Sequence, residues 1–524
     1  MRLGNIFKYL FIIFVIAIVV FAWYTINNNN TKDQETVIEE EQKQDTTRST
    51  SINVGITNYD TMNPYITNNR EILYVDTLIF EPLYTITSDY HLENCLAQDS
   101  SNVGNNTYII KTNTSVNFSN GQTLTSKDIE FSINKLKGSN SVYRSNVEHI
   151  ASTEIIDATT IRLNLDAEIP FFEYYLTFPI MPASYYEGEE FFSSGKTPIG
   201  SGKYSISEMG EREIILRKNA SYRKANDESL NVETIILKKF DSKGEEFNSF
   251  KISNIDISLT SNMSYTNYIG TLGFNEYRYS GRDFTFLAFN TADEFISDVN
   301  LRRAIDKVVD KGNIVANVNA SYQVSKYPLD YGNYLYQGDK SYSVDANEAR
   351  EILLSNGYTF KSNKCYKDGK RVELKISVQE GNWERVRTAE LIKESIENLG
   401  IKVDIEKIND EKYYTYINNK DYQMLITGTV NSYSPNLNYY FGQYNIFNYT
   451  NEEIIGTLNS VETTTPEADL KDKYQRIYNI YNEDLPFIGL YRNQMVLLTT
   501  QNLVGKITPN NYNLYYNINS WYRK

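Results

Sequence analysis

Apolar and polar positions alternate with a period of two over Ile52-Val54-Ile56, Tyr108-Ile110, Ile161-Leu163-Leu165, Ile214–Leu216 and Ile235–Leu237, which predicts five strands. Further along, the period lengthens to that of a helix. Leu301, Ala304, Ile305 and Val308 fall on one face behind Asp298, the predicted N-cap, with Gly312 as the stop. A second helix places Ala389, Ile392, Ile396 and Leu399 on one face and closes at Gly400. A strand follows at once, with Ile401, Val403 and Ile405 alternating. Tight helix–Gly–strand joins of this kind belong to layered α/β folds. No internal repeat is visible, and 524 residues exceed one hydrophobic core, which implies two or three lobes.

The N-terminus breaks this pattern. Tyr9–Ile26 contains no charge and follows Arg2 and Lys8. Its length of about 18 residues just suffices to cross a hydrocarbon core of about 30 Å. The basic residues before it and the acidic stretch after it predict a cytoplasmic N-terminus with the bulk of the chain outside. A cleaved signal peptide is the rival reading, but the run exceeds a usual signal core and Phe21-Ala22-Trp23-Tyr24 is a poor cleavage site. No Cys precedes Cys95, so a lipidated Cys after the signal is excluded. Residues 1–26 are therefore read as a signal anchor. Residues 27–50, polar and without apolar periodicity, are read as a disordered tether spanning roughly 25–30 Å.

Ser115–Phe131 (SVNFSNGQTLTSKDIEF) combines a strand, an Asn120-Gly121 turn and a helix start. Ser126 is the predicted cap, and Ile129, Ile133 and Leu136 share one face before Gly138. As a string it resembles the "v-F-x-x-G-x-x-x-T-a-x-D-V-x-F-S" signature of the extracellular solute-binding proteins of ABC importers, in the family-5 group of oligopeptide- and dipeptide-binding proteins. Other segments resemble that family in order: Thr197–Tyr204 (TPIGSGKY), Leu216–Tyr222 (LRKNASY), Phe286–Asn290 with Asn300–Asp310 (FLAFN and NLRRAIDKVVD), and Ile392–Val403 (IKESIENLGIKV). The resemblance runs from about Ile52 to the C-terminus.

The resemblance implies an α/β, two-lobed periplasmic-binding-protein-like fold, type II with an extra subdomain, behind an N-terminal transmembrane helix. It divides the chain into lobe I at 51–89, 195–280 and 490–524, an inserted subdomain at 90–194, and lobe II at 281–489. It also implies a ligand cleft between the lobes. Tyr59, Asn63 and Tyr65 match its first cleft edge, Asn290 ends the inter-lobe strand, Trp383 and Arg385 open a lobe II helix, and Tyr491 lies in the return strand. Peptide-binding relatives hold a free α-amine with an Asp in a loop resembling "G-W-x-x-D-Y-x-D-P". The corresponding Gly428–Pro435 is GTVNSYSP, so Asn431 or Ser432 stands at the Asp, beside Tyr433. Tyr422–Thr450 holds no Asp, Glu, Lys or Arg. Amine recognition has therefore moved elsewhere, or the ligand has no ammonium at that place.

Charge and composition narrow the function further. A formal net charge of −14 disfavours nucleic acid as a partner. The 44 tyrosines and many asparagines fit AT-rich coding. Cys95 and Cys365 lie far apart and read as free thiols. With only His91 and His149, neither in the company of a triad or zinc motif, hydrolysis and metal chemistry are not expected, and neither is a nickel- or haem-binding member of the family. Ser132-x-x-Lys135 lacks the partner motifs of penicillin-recognising enzymes, and Gly200-Ser201-Gly202 is too short for a phosphate loop. The expectation is a non-enzymatic, cofactor-free receptor on the outer face of a Gram-positive type membrane. It would capture a peptide or other small solute for an ABC permease and ATPase. A membrane-tethered peptide sensor of the same fold, without transport, is the alternative.

Overall fold

The computed structural model describes residues 49–524 apart from 189, 194, 226–229, 272, 337, 339–340 and 462–465. The anchor Tyr9–Ile26 and all but the end of the tether lie outside the described residues. Among the described residues no helix is long and apolar enough to cross a membrane.

One mixed sheet of 11 strands organises the molecule. In spatial order it runs Lys402–Ile408, Glu373–Gln379, Met424–Val430, Phe274–Phe289, Phe487–Thr500, Ile257–Thr260, Ser51–Thr57, Thr234–Phe240, Glu213–Lys218 and Tyr204–Met209, with Tyr322–Val324 added against Phe487–Thr500. Ser51–Thr57, Thr234–Phe240 and Glu213–Lys218 sit where alternation predicted strands, and their inward residues Ile52, Val54, Ile214, Leu216, Ile235 and Leu237 are buried. Thr107–Thr112 and Thr160–Leu165 form a separate four-stranded sheet with Ala97–Asn102 and Ile150–Ile155. Its residues Ile110, Ile150 and Ile161 join Ile52 and Leu237 in one core, so this sheet does not carry a core of its own.

Two long antiparallel strands, Phe274–Phe289 and Phe487–Thr500, link the halves. Phe274 pairs with Thr500 at one end and Ala288 with Phe487 at the other. Tyr279 and Leu497 belong to the core of Ile52, whereas Leu287, Phe289 and Ile488 belong to that of Ile376 and Ile392. The chain is thus a two-lobed α/β structure, with a core on each side of two shared strands. Register slips between Ser280 and Phe284. Such an irregularity re-aims side chains and bends the strand, and it falls between the lobes.

Three local expectations change. Ser115–Thr125 forms no regular strand but a loop closed by one bridge, Asn117 to Thr123, with Gly121 alone in the turn at positive φ, +84°. The cap of helix Ser126–Lys137 is Thr125, not Ser126: the Thr125 N–H donates to Asp128 Oδ2 at 2.7 Å in a capping box. The Ser126 hydroxyl instead donates to the Asp157 carbonyl. Helix Val299–Val308 is capped by Asp298 as read, but it stops at Val309; Gly312 lies inside a new helix, Lys311–Val318, that Asp310 caps. The second cap, two residues after the first helix ends, restarts the helix before glycine can stop it.

The family-like segments are joints of this architecture. Arg302, 5% exposed, donates Nε to the carbonyls of Asp484 and Leu485 and Nη1 to those of Ile296 and Ser297. It thereby satisfies the orphan carbonyls at the end of helix Glu467–Asp484. Ser132 is buried and accepts the Met181 N–H at 2.8 Å, a packing role and not a nucleophile's. Cys95 and Cys365 are free.

Candidate ligand cleft

A cavity of about 890 Å³ lies beside the register slip of the long strand. One wall is helix Arg70–Ile79 with the C-terminal segment around Asn511–Tyr512 and the segment around Tyr143. The other holds Arg282, Asp283, Val430, Ser432 and Tyr433. This volume is in the range of small-molecule sites.

Local chemistry fixes both walls. Asn69 caps the helix, its Oδ1 accepting from the Glu71 N–H at 2.9 Å. At the other end the turn TPIGSGKY packs on the helix backbone, and Gly202 N–H donates to Ile79 O at 2.8 Å. A Cβ at Gly200 would lie 2.0 Å from that same carbonyl, so only glycine permits the approach. On the opposite wall, Arg282 and Asp283 sit in the register slip of the long strand. The Arg282 guanidinium lies over the Tyr433 ring, 4.3 Å from its centre. The Tyr433 hydroxyl crosses the cleft and donates to Asn511 O at 2.8 Å, and its ring meets Tyr512 edge-on at 5.2 Å.

The charges are unevenly satisfied. Among the described residues neither Arg70 nor Arg282 has an ion pair. Glu81 pairs with Arg223 at 3.0 Å; burial pushes its carboxyl upward against that pairing. Asp76 stands apart. It is 1% exposed, it belongs to the cavity wall, and among the described residues neither carboxylate oxygen has a hydrogen-bond partner. Burial, and secondarily Asp60, holds its carboxyl well above the usual range. The charge of Asp76 in turn adds to the burial that raises the Tyr143 hydroxyl.

Of the residues read from sequence, Ser432 and Tyr433 line the cavity. The other eight do not. Asn63 Oδ1 accepts from the Tyr65 N–H at 3.0 Å, and the buried Tyr65 hydroxyl donates to Pro179 O at 2.5 Å, so both build the turn after the first strand. Tyr59 is half-buried beneath Lys239, whose Nζ sits 4.0 Å from the ring centre. Asn290 Nδ2 donates to the carbonyls of Lys420 and Tyr422 at the far end of its strand. Asn431, one position from the cavity, turns away and donates to Pro328 O at 2.6 Å. Trp383 is 64% exposed; Arg385 donates Nη1 to the Tyr413 hydroxyl at 3.2 Å. Tyr491 is buried against Thr388 and stacked on Tyr322.

Sequence reasoning missed Asp76, Tyr74, Tyr143, Arg282 and Tyr512. For Asp76 there was a signal. Ile72, Val75, Asp76 and Ile79 follow i, i+3, i+4, i+7, which sets an acid in the middle of an apolar stripe. Two further negatives hold among the described residues. No group of three or more His, Cys, Asp or Glu could hold a metal ion. His91 and His149 meet only acids and, for His91, the Tyr334 ring.

The sequence profile of the bacterial extracellular solute-binding proteins, family 5 Middle, matches residues 91–451. The chain belongs to this family. Oligopeptide-binding protein OppA of Bacillus subtilis is 20% identical over 90% of this chain and 93% of its own length. Oligopeptide-binding protein AppA of Bacillus subtilis is 22% identical over 65% of each chain, slightly less than two thirds of AppA. The crystal structure of a nickel ABC transporter protein from Bacillus halodurans superposes with a TM-score of 0.74 at 17% identity, covering 88% of this chain and 98% of that one. Family-5 proteins bind solutes and are not enzymes, which agrees with the sequence reading.

Proposed function

We propose that this family-5 protein captures an extracellular peptide in the inter-lobe cleft and hands it to an ABC permease with its ATPase. The observation that carries this reading is a cavity walled by both lobes and spanned by the Tyr433–Asn511 hydrogen bond. Opening or closing the cleft then makes or buries ligand contacts at one stroke. A peptide fits the lining, which offers cations without ion pairs among the described residues (Arg70, Arg282), several carboxylates and a neutral surface of Tyr, Asn and Ser. OppA and AppA, which are named for oligopeptides, support the same class. The apolar run Tyr9–Ile26 would tether the receptor, with the folded part outside the cell.

A membrane-tethered peptide sensor without transport is the second reading, favoured by the acid-free loop Gly428–Pro435. The test is native mass spectrometry of the purified full chain, with denatured extracts searched for released small molecules. A ladder of peptide masses supports nutrient capture. A single defined peptide favours sensing. A non-peptide ligand, or a cleft that stays empty in peptide pools, overturns the peptide assignment.

A further inference from the structure

Buried carboxylates in this protein are met by donors. Glu246 receives Lys243, Thr57 and Ser258; Asp128 receives the backbone of Thr125 and Ala183; Asp256 receives Asn53 N–H and Arg523. Among the described residues only Asp76 has both oxygens sealed from water and unbonded. An unmet buried charge is costly, so an acid kept in such a place calls for a counter-charge that comes and goes.

Its position in the cleft supplies the rest. The facing loop Gly428–Pro435 has no acid, and the one acid of the opposite wall, Asp283, is exposed and already bonded to Asn493 Nδ2 at 2.6 Å. Asp76 shares the cavity lining with the rings of Tyr74, Tyr143, Tyr433 and Tyr512. Arg70 and Arg282, without ion pairs, mark where negative groups of the same solute would be accepted.

We propose that Asp76 is the counter-charge for a cationic group, an ammonium in the simplest case, of the solute bound in the cleft. The assignment rests on the cleft reading above. It moves cation recognition from the loop that lost its acid to the first helix of the opposite lobe.

The test compares wild type with Asp76→Asn and Asp283→Asn in full-length purified protein. Binding is followed by thermal shift and titration calorimetry. Three probe sets are used: di- to pentapeptides with free amines, the same peptides N-acetylated, and non-peptide amines such as putrescine and spermidine. The Asn variant keeps the shape of the side chain and breaks no hydrogen bond of the folded protein. Asp76→Asn is expected to weaken free-amine peptides roughly 10- to 100-fold and to leave acetylated ones unchanged. Asp283→Asn, at the acid of the opposite wall, tests the competing assignment, and its loss of free-amine binding is expected to be at least about tenfold smaller than that of Asp76→Asn. Equal binding of free-amine peptides by wild type and Asp76→Asn, loss in Asp283→Asn instead, or preference for acetylated peptides overturns the assignment while the peptide reading stands. Binding of non-peptide amines alone, lost in Asp76→Asn, upholds the assignment and overturns the peptide reading. No binding in any set counts against both.

Discussion

The helix Arg70–Ile79 carries two acids of opposite fate within about one and a half turns. Glu71, at its start, accepts Lys243 Nζ at 2.5 Å and the Thr57 N–H at 2.6 Å. Lys243 also reaches the fully buried Glu246 at 2.6 Å, so one ammonium ties this helix, the first strand and helix Lys243–Lys251 together. Asp76, further along, touches no donor among the described residues. The two regions share a helix and a core, so burial alone does not explain the difference. One acid is used to close the fold; the other is buried without a partner in the wall of a cleft. Saturated polar networks fix structure, and unsaturated buried groups point to what the molecule binds.

Breaking the saturated side should cost most. Glu246→Ala leaves Lys243 partly unmet and strands the Thr57 and Ser258 hydroxyls, and it is expected to lower stability by about 3–5 kcal/mol in urea unfolding. A loss below about 1 kcal/mol would mean that the network is not what holds the helix. Next comes the joint at the other end of that helix. Gly200→Ala drives a Cβ to 2.0 Å from Ile79 O and should cost about 1–3 kcal/mol while also weakening solute binding, because the helix that bears Asp76 must shift. Stability lost with affinity untouched would detach the helix from the site.

For both acids pH should act in the same direction. Burial, and then the charge of Glu246, lift the Glu71 carboxyl from 4.5 to about 7 despite Lys243. A raised folded value means that the native state holds this proton more tightly than the unfolded chain. Stability from this group is then greatest below about pH 4.5 and is eroded as pH rises from there to about 7. Glu71→Gln should flatten that stretch of the stability profile, and an unchanged profile would contradict it. For Asp76 the sign is the same and the remedy simpler. Asp76→Asn should stabilise the protein at neutral pH and give no gain below the ordinary carboxyl range, as read from melting temperatures across pH. Destabilisation by Asp76→Asn would reveal a structural partner for this carboxylate.

The same contrast sets how far the fold and the site were legible in the sequence. Strands and helices followed period and capping residues because Ile52, Ile235, Ile305 and Ile392 report their own burial locally. Ser432 and Tyr433 were found because a loop pattern carries them. Tyr65 and Tyr491 were placed at the cleft by resemblance to the family's cleft edge and return strand, yet a tyrosine with a buried partner serves the core equally well. Arg282 was out of reach, since its direction depends on a register slip between strands more than two hundred residues apart in the chain. Asp76 was legible as a polar intrusion in an apolar stripe, but its lack of partners is a property of the whole fold.

The smallest expected effect sharpens the criterion itself. Trp383 opens helix Trp383–Glu397 and is 64% exposed, whereas Trp521 is fully buried and donates its indole N–H to Lys506 O at 2.9 Å. Among the described residues Trp383, like Asp76, has no polar partner, but water meets its needs at no cost to the fold. Trp383→Ala should therefore change stability by less than about 0.5 kcal/mol. Solute affinity should stay within about twofold, because the cap of that helix is Asn382, which accepts from the Arg385 N–H at 3.0 Å and is untouched. If calorimetry instead finds the affinity lost, the bound solute reaches across to the Trp383–Arg385 face, and the cleft is larger than the cavity beside Asp76. If affinity holds, exposure without a partner is neutral, and what marks the site is a buried carboxylate with neither oxygen met.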